Sequence, residues 1–511
     1  MTVHDVVIVG GGPTGLMLAC ELKRAGVDPL VLEALPEPTR EPKANGVFGQ
    51  VVRALDRRGL YGRLTGSTTP PVANSAYFMF AAMPLDLSLL DQSPLYALPI
   101  PQARMVEVFT EYATELGIEI RRDHEVTGLA QDEDGVTLTV VGRPDLRARY
   151  VVGADGAHSV TRKLSGIDFP GITRDRTTSR SAHATVAPEW LDPGTGGLTV
   201  PGHGVIRPFL PLRTATGTFS YAPLPGHPPL VNTSEWDQPE PPGPMTLDEL
   251  RASIHRVLGV DIPLVAPTGP GPHVLRRLRG SNTRVADRFR CGRVFLAGDA
   301  AHIFALGGAL TVGLQDAINL GWKLAAEIHG TAPPDLLDTY DPERRVAADR
   351  MVLSAQAQSA LVAPGEDITG LRAVVGELLA EKSVVQRLAD LISGTDVRYD
   401  FGPGHPLVGT FAPDLDLRTP AGRMRLAELT HETRPLLLDL TEGSSLADLA
   451  AELGIETITA QAATDTDLTA ALLRPDTYLA WASTSQIPDD KERAALRTAA
   501  HRWFPPRPDT P

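Results

Sequence analysis

Between Val6 and Glu33 the chain reads as strand, glycine turn, helix and second strand, and few folds accommodate that order. Val6-Val7-Ile8-Val9 is a continuous apolar run, the composition of a parallel strand covered on both faces. Gly10-x-Gly12-x-x-Gly15 follows, with Thr14 inside the turn. Leu16 to Ala25 has helical composition and stops at Gly26, and Leu30-Val31-Leu32 is a second strand that ends in Glu33. Gly10 permits a tight turn, Gly12 lets a pyrophosphate approach the backbone, and Gly15 lets the helix pack close on the sheet. The helix then presents its positive N-terminal end to the phosphates. Glu33 suits a ribose, because a carboxylate accepts from both hydroxyls. A glycine pattern alone is a weak signal. Here strand, helix and terminal acid agree, and together they point to a bound dinucleotide.

Two later clusters have a similar form. Gly153-Ala-Asp155-Gly156-Ala-His158-Ser159-x-x-Arg162 delivers Asp155 from a buried strand into a glycine turn. In isolation it reads equally well as an ordinary strand exit with a helix cap. Gly298-Asp299-Ala-Ala-His302 follows the buried run Arg293-Val-Phe-Leu-Ala297. Asp299 can accept from a ribityl hydroxyl of a flavin. Gly307-Gly308 and a helix start near Gly313 offer backbone N–H groups to a flavin carbonyl or N1. Asn319 and Trp322, further along that helix, read as packing groups.

With 511 residues the chain predicts about three domains. Residues 175–280 alternate apolar and polar in short runs, the pattern of an antiparallel sheet with long loops. Pro223–Pro244 holds eight prolines and is expected to supply no central strand or helix. A helix is expected from Leu336 to about Leu361. A composition break at Gly402-Pro-Gly-His-Pro406 precedes a small α/β unit whose end, Pro505-Pro-Arg-Pro508, is expected to fray. The net charge of −14 argues against nucleic acid or an anionic membrane as partner. Two cysteines, Cys20 and Cys291, build neither a disulfide framework nor a four-cysteine zinc site, and no metal is expected. The start Met-Thr-Val-His-Asp lacks the basic opening of a secretion signal, and the apolar stretch Ala76–Leu85 is too short to span a bilayer. A cytoplasmic location is expected.

The three clusters, in this order and spacing, resemble those of the FAD-dependent single-component aromatic hydroxylases, the para-hydroxybenzoate hydroxylase superfamily. The resemblance covers nearly the whole chain and is nearest to the aromatic-polyketide hydroxylases. It implies a Rossmann-like FAD-binding domain interleaved with an antiparallel-sheet substrate domain, an α/β plus α+β architecture. The division it implies is residues 1–75, 100–174 and 281–400 for FAD, the last part a helical extension over 336–400. Residues 76–99 and 175–280 would form the substrate domain, and 401–511 a thioredoxin-like domain. The last is suggested by His405-Pro-Leu-Val-Gly-x-x-Ala-Pro-Asp414 and Leu473-Arg-Pro-Asp-x-Tyr-Leu-Ala-Trp481. It contains no cysteine, so a dithiol role is excluded and packing or oligomerisation is expected.

The same resemblance implies further cofactor contacts. Gln102, in Leu98-Pro-Ile-Pro-Gln102, falls on the segment whose glutamine contacts the flavin phosphates. Val126 falls where backbone holds adenine. Gln50 falls where relatives carry an arginine near the pyrophosphate. Gly308, Leu310 and Thr311 fall on the loop against the isoalloxazine ring. That loop departs from the family pattern. Relatives have a proline turn and then Gly-Gly-Gln-Gly-Leu-Asn; here Ile303-Phe-Ala-Leu-Gly-Gly-Ala-Leu-Thr-Val-Gly313 lacks the proline and the glutamine. Only one dinucleotide fingerprint is present, so NADPH is expected as a transient co-substrate. A C4a-peroxyflavin would then hydroxylate a polycyclic aromatic polyketide or similar phenolic. Baeyer–Villiger insertion, a flavin-dependent dehydrogenase or reductase, and a non-catalytic FAD module stay open as alternatives. Phe78, Phe80, Met83, Phe209, Phe219 and Tyr221 are candidates to line a substrate cavity and are equally plausible as core. His183 and His203 are candidates to orient a phenol. No catalytic base is assigned, and a monomer or homodimer is expected.

Overall fold

In the computed structural model the apolar run at the N-terminus is buried on both sides. Val6 and Ile8 face one helix-covered core, and Val7 faces a second core on the opposite side of the sheet. The structure describes residues 2–39, 43–223, 226–269, 271 and 273–505. Of the end expected to fray, Pro506 onward lies outside the described residues.

The chain begins with β1 (Val3–Val9), α1 (Pro13–Arg24), β2 (Pro29–Glu33) and α2 (Gln50–Arg57). A hairpin of β3 (Tyr77–Phe80) and β4 (Met83–Asp86) precedes α3 (Gln102–Glu115). Four strands follow: β5 (Glu119–Arg122), β6 (Val126–Gln131), β7 (Val136–Val140) and β8 (Leu146–Gly153). The next excursion contains β9 (Gly171–His183), β10 (Leu212–Arg213), β11 (Gly217–Ala222), β12 (Leu230–Trp236), α4 (Leu247–Leu258) and β13 (Leu275–Val285). The chain returns through β14 (Arg290–Cys291), β15 (Val294–Leu296) and β16 (His302–Ile303). Four helices come next: α5 (Ala309–Ile328), α6 (Tyr340–Val362), α7 (Glu366–Leu378) and α8 (Lys382–Ser393). The last part holds β17 (Leu436–Asp439), α9 (Ala447–Leu453), β18 (Glu456–Thr459), β19 (Ala470–Leu473), β20 (Leu479–Ser483) and α10 (Asp490–Trp503).

The first sheet runs β14-β15-β8-β1-β2-β5, with β7 paired to β8 and β6 to β7. Its centre, from β15 to β5, is parallel. A sheet built this way draws strands from three distant stretches of sequence. The second sheet, β10-β11-β12-β9-β13-β16, is antiparallel throughout. Its buried face packs on α4 through Phe219, Tyr221, Val231 and Ile254. The third, β18-β17-β19-β20, belongs to the C-terminal region and packs against α9 and α10.

Three expectations need correction. The stretch Pro223–Pro244 does supply an internal strand, β12, paired with β9 on one side and β11 on the other. Its prolines sit at both ends and leave Leu230–Trp236 free to complete the ladder. α4 is a helix within residues 175–280 that the alternating pattern concealed. Thr246 caps it by accepting from the Glu249 N–H at 3.1 Å, and Gly259 ends it in the left-handed conformation. α5 starts at Ala309 rather than near Gly313, because Gly308 at φ +90° turns the chain into the helix.

Candidate functional site

The glycine turn between β1 and α1 is shaped by backbone crowding. Gly10 has φ +111°, and a side chain there would meet the Ala154 carbonyl at 2.4 Å. A side chain at Gly15 would meet the Gly10 carbonyl at 2.0 Å. Gly12 is different: φ is −77°, and no protein atom lies within 4 Å of where its side chain would be. Pro13 opens the helix, so the missing N–H costs nothing. The space beyond Gly12 is a groove of about 740 Å³, within the range of ligand sites.

Most of the expected contacts lie along this groove. Gly10, Gly12, Thr14 and Glu33 line it, as do Gln102 and Val126. Asp155 and Asp299 line its middle, and Gly308, Leu310 and Thr311 its far end. Two residues do not. Gly15 lies beneath the turn, where it serves helix packing. Gln50 is buried, and its amide donates to the Gly394 carbonyl at 2.7 Å, so it braces α2 against the end of α8. The sequence missed Lys43, Phe48, Arg122 and His124, which also line the groove. They sit in loops and at a strand end, without any spacing that would have marked them.

The carboxylates have defined tasks. Glu33 accepts from the Gly11 N–H at 2.7 Å and from the Leu35 N–H at 2.9 Å. It therefore shapes the turn while leaving lone pairs for a ribose. Asp155 accepts from the Ser159 hydroxyl at 2.5 Å and from the Thr161 N–H at 2.9 Å, while Ser159 caps the following helical turn. Arg162 of the same cluster donates to the Ala300 carbonyl at 2.8 Å and so supports the turn that carries Asp299. Asp299 opens onto the groove. Loss of surrounding water raises its carboxyl above the usual range, and His302 and Lys43 only partly offset this.

The Asp299 turn is held from behind by Asp316 of α5. One Asp316 oxygen accepts from the Gly298 N–H at 3.0 Å and from His302 Nε2 at 2.6 Å. The other accepts from Arg344 Nε at 2.7 Å. All three side chains are fully buried. Burial alone would raise the Asp316 carboxyl, but His302 and Arg344 outweigh it and hold it at about 2. Side chains at Gly298 and Gly313 would both strike Thr14 Oγ1, at 2.7 and 2.8 Å. The start of α1, the Asp299 turn and the start of α5 thus meet at one point.

These residues fit a flavin dinucleotide. The groove runs from Glu33 past the α1 N-terminus to the α5 N-terminus, whose first N–H groups have no side-chain cap. Glu33 and Asp299 would accept from ribose and ribityl hydroxyls, and the two helix ends would face phosphate and flavin oxygens. In the altered loop Gly307 and Gly308 adopt the left-handed φ values +92° and +90°, which turn the chain into α5.

Two outcomes follow from this geometry. Glu33→Gln should weaken FAD binding about tenfold, because the amide can satisfy only one of the two N–H groups and turns a donor on the other; a fluorescence titration of apoprotein measures it. The depressed Asp316 carboxyl stabilises the fold fully above its unfolded value of about 3.9 and loses that contribution as pH falls towards about 2. Flavin fluorescence followed from pH 7 downward should therefore show no release attributable to this carboxylate until below about pH 4.

Other expected residues lie elsewhere. Phe80 and Met83 are buried against α6 and α8, and Phe219 and Tyr221 against α4. Phe78 is half-buried beside the groove residue Phe48, ring centroids 5.9 Å apart, and Phe209 is exposed. His203 is committed to the Leu258 carbonyl at 2.8 Å. His183 Nδ1 accepts from the Val274 N–H, and its Nε2 is buried without a partner. Among the described residues no helix is long and apolar enough to cross a membrane.

The FAD binding domain family matches residues 3–355, and the family described as aromatic-ring hydroxylase, C-terminal, matches residues 405–506. A 12-dehydrotetracycline 5-monooxygenase/anhydrotetracycline 6-monooxygenase of Streptomyces rimosus subsp. rimosus is 40% identical over 98% of this chain and 99% of its own. A dialkyldecalin synthase of Streptomyces rugosporus is 34% identical over 98% of this chain and 99% of its own. The solved structure of an anhydrotetracycline hydroxylase from Streptomyces rimosus superposes with a TM-score of 0.84, at 38% identity, covering 99% of this chain and 100% of that one. The groove, its helix ends and these matches together place the chain among the FAD-dependent aromatic-ring hydroxylases, as a flavoprotein monooxygenase.

Proposed function

We propose that this monooxygenase uses NAD(P)H and O2 to hydroxylate a polycyclic aromatic polyketide or a similar phenolic in secondary-metabolite biosynthesis. The observation that carries this reading is where the groove ends. The loop after β16 lines its far end, while β16 itself pairs with β13 at the edge of the second sheet. Ala305 N–H donates to Thr283 Oγ1 of β13 at 3.2 Å, which ties that loop to the sheet. A ring held against the second sheet would thus lie beside the flavin end. The chemistry that FAD supplies when bound is hydride acceptance from NAD(P)H and activation of O2, one oxygen atom going to the substrate. The chain's own residues bind and orient. Glu33 and Asp299 fix the hydroxyls, Gly12 admits the pyrophosphate, and the α5 N-terminus stabilises negative charge at the flavin carbonyl edge. On this reading residues 1–75, 100–174 and 281–400 serve FAD, residues 76–99 and 175–280 the substrate, and 401–511 is a thioredoxin-like segment whose core takes in Trp322 of α5.

Holoprotein reduced with NADPH and mixed with ¹⁸O2 and polycyclic phenols should yield a product carrying one labelled oxygen on a ring carbon. Label inserted beside a ketone would instead assign Baeyer–Villiger chemistry. A second reading is favoured by the altered loop and by the dialkyldecalin synthase among the relatives. It is a chain that binds FAD and passes no oxygen to a substrate. Flavin reduction and reoxidation without any labelled product would establish it against the first.

A further inference from the structure

We propose that the C-terminal region is a positioning element of the flavin site, acting through two adjacent residues of α6. Glu343 faces the C-terminal region and Arg344 faces the flavin turn. Arg474, between β19 and β20, donates to both Glu343 oxygens at 2.7 and 2.8 Å. It also donates to Asp476 at 3.0 Å and is enclosed by the rings of Trp322, Phe401 and Trp503 at 4.5–5.1 Å. Lys323 of α5 donates to the same Glu343 at 2.8 Å. These charged side chains are at most 7% exposed.

One residue further along, Arg344 donates to Asp316 at 2.7 Å and to Tyr399 Oη at 2.7 Å. Tyr399 in turn stacks on Tyr478, ring centroids 4.1 Å apart. Asp316 is the carboxylate that holds Gly298 and His302 on either side of Asp299. Two neighbouring α6 side chains therefore receive the C-terminal region and pass its position to the turn that lines the groove. Buried ion pairs of this kind stabilise little when replaced whole, but losing one partner displaces the other. That makes the arrangement suited to fixing geometry.

The proposal rests on the groove holding FAD. Colourless wild-type protein would therefore reject that reading first. The test uses full-length protein and reads the FAD dissociation constant and the visible circular dichroism of bound flavin, at a temperature where each variant is folded. Glu343→Gln should raise the dissociation constant about tenfold and alter the dichroism. Arg474→Lys, which keeps the charge, should retain part of the wild-type affinity. Arg57→Met is the contrast. Arg57 of α2 docks the C-terminal region through the Ala412 and Pro413 carbonyls, at 3.0 and 2.9 Å, with no bond to the Asp316 cluster. It should lower the melting temperature and leave FAD affinity and dichroism unchanged. Equal FAD loss in Arg57→Met, or wild-type affinity and dichroism in Glu343→Gln, would overturn the proposal. If Glu343→Gln does not fold, Tyr399→Phe carries the test. It removes the hydroxyl that accepts from Arg344 and bonds Tyr478, and so cuts the link between Arg344 and the C-terminal region; an unaltered flavin dichroism there overturns the proposal as well.

Discussion

Gly12→Val should give a folded, colourless protein. At this position the backbone is extended, with φ −77° and ψ 179°, a conformation that valine adopts readily. No protein atom lies within 4 Å of the added carbon, so the apoprotein meets no clash. Its stability should stay within about 0.5 kcal/mol of wild-type apoprotein, as for substitutions that touch nothing. The new side chain instead fills the space where a pyrophosphate must approach the α1 N-terminus. Overpacking a tight contact costs about 1–3 kcal/mol, so FAD affinity should fall by up to roughly a hundredfold. The absorbance of purified protein near 450 nm and a thermal melt without added FAD read the two halves of this outcome. Retained stoichiometric FAD would show that the pyrophosphate lies elsewhere. Gly15→Val is the informative contrast: its side chain would strike the Gly10 carbonyl at 2.0 Å, so it should fail to fold rather than fail to bind.

Asp316→Asn should cost the most stability of any single conservative change near the site. The carboxylate faces Arg344 and His302 with no exposure to solvent. Asparagine is nearly the same size, so no cavity forms, and the effect isolates charge. Leaving a buried arginine without its counter-ion costs about 3–5 kcal/mol. For a domain of this size that corresponds to a melting temperature lower by about 10 °C. The amide also places a donor where either the Gly298 N–H or Arg344 needs an acceptor, so the Asp299 turn loses its brace. FAD loss and thermal loss should therefore appear together, unlike in Gly12→Val. Calorimetry of apo- and holoprotein separates them, and an Asp316→Asn melt within about 2 °C of wild type would contradict the buried-charge argument.

What the sequence made legible divides by the range of the interaction responsible. The turn from Gly10 to Gly15 and the acid Glu33 were readable because strand, glycines, helix and acid follow one another in one short stretch, even though the crowding at Gly10 comes from the distant Ala154 carbonyl. The Asp299 turn was readable from its own Gly-Asp pair and the buried strand before it, although the residues that hold it, Asp316, Arg162 and Thr14, are distant in sequence. Asp316 stood in plain view on a helix, but its task depends on Arg344 and His302, and nothing local announces that partnership. Gln50 shows the opposite error. The family resemblance placed it near the pyrophosphate, whereas folding committed its amide to Gly394. β12 was hidden because proline content was averaged over a window longer than the strand. α4 was hidden because alternation on either side masked a capping signal at Thr246 and Glu249.

The first sheet also constrains how the protein is made. β1 emerges from the ribosome first, and β8 joins it after about half of the way to β15. The turn with Asp299 and the start of α5 come later still, after every strand of the second sheet but β16 has been synthesised. At ribosomal speeds of about 5–20 residues per second, the interval between the Gly12 turn and the Asp299 turn is roughly 15–60 s. For about the second half of that time the nascent chain carries β8 with Val151 and Val152 on an open edge that only β15 will close. Such an edge invites pairing with other chains. Flavin cannot protect it, because Asp299 and the α5 end of the groove do not yet exist. Overexpression should therefore aggregate the partly made chain whatever the FAD supply, and slower translation or a holding chaperone, rather than added riboflavin, should raise the soluble yield.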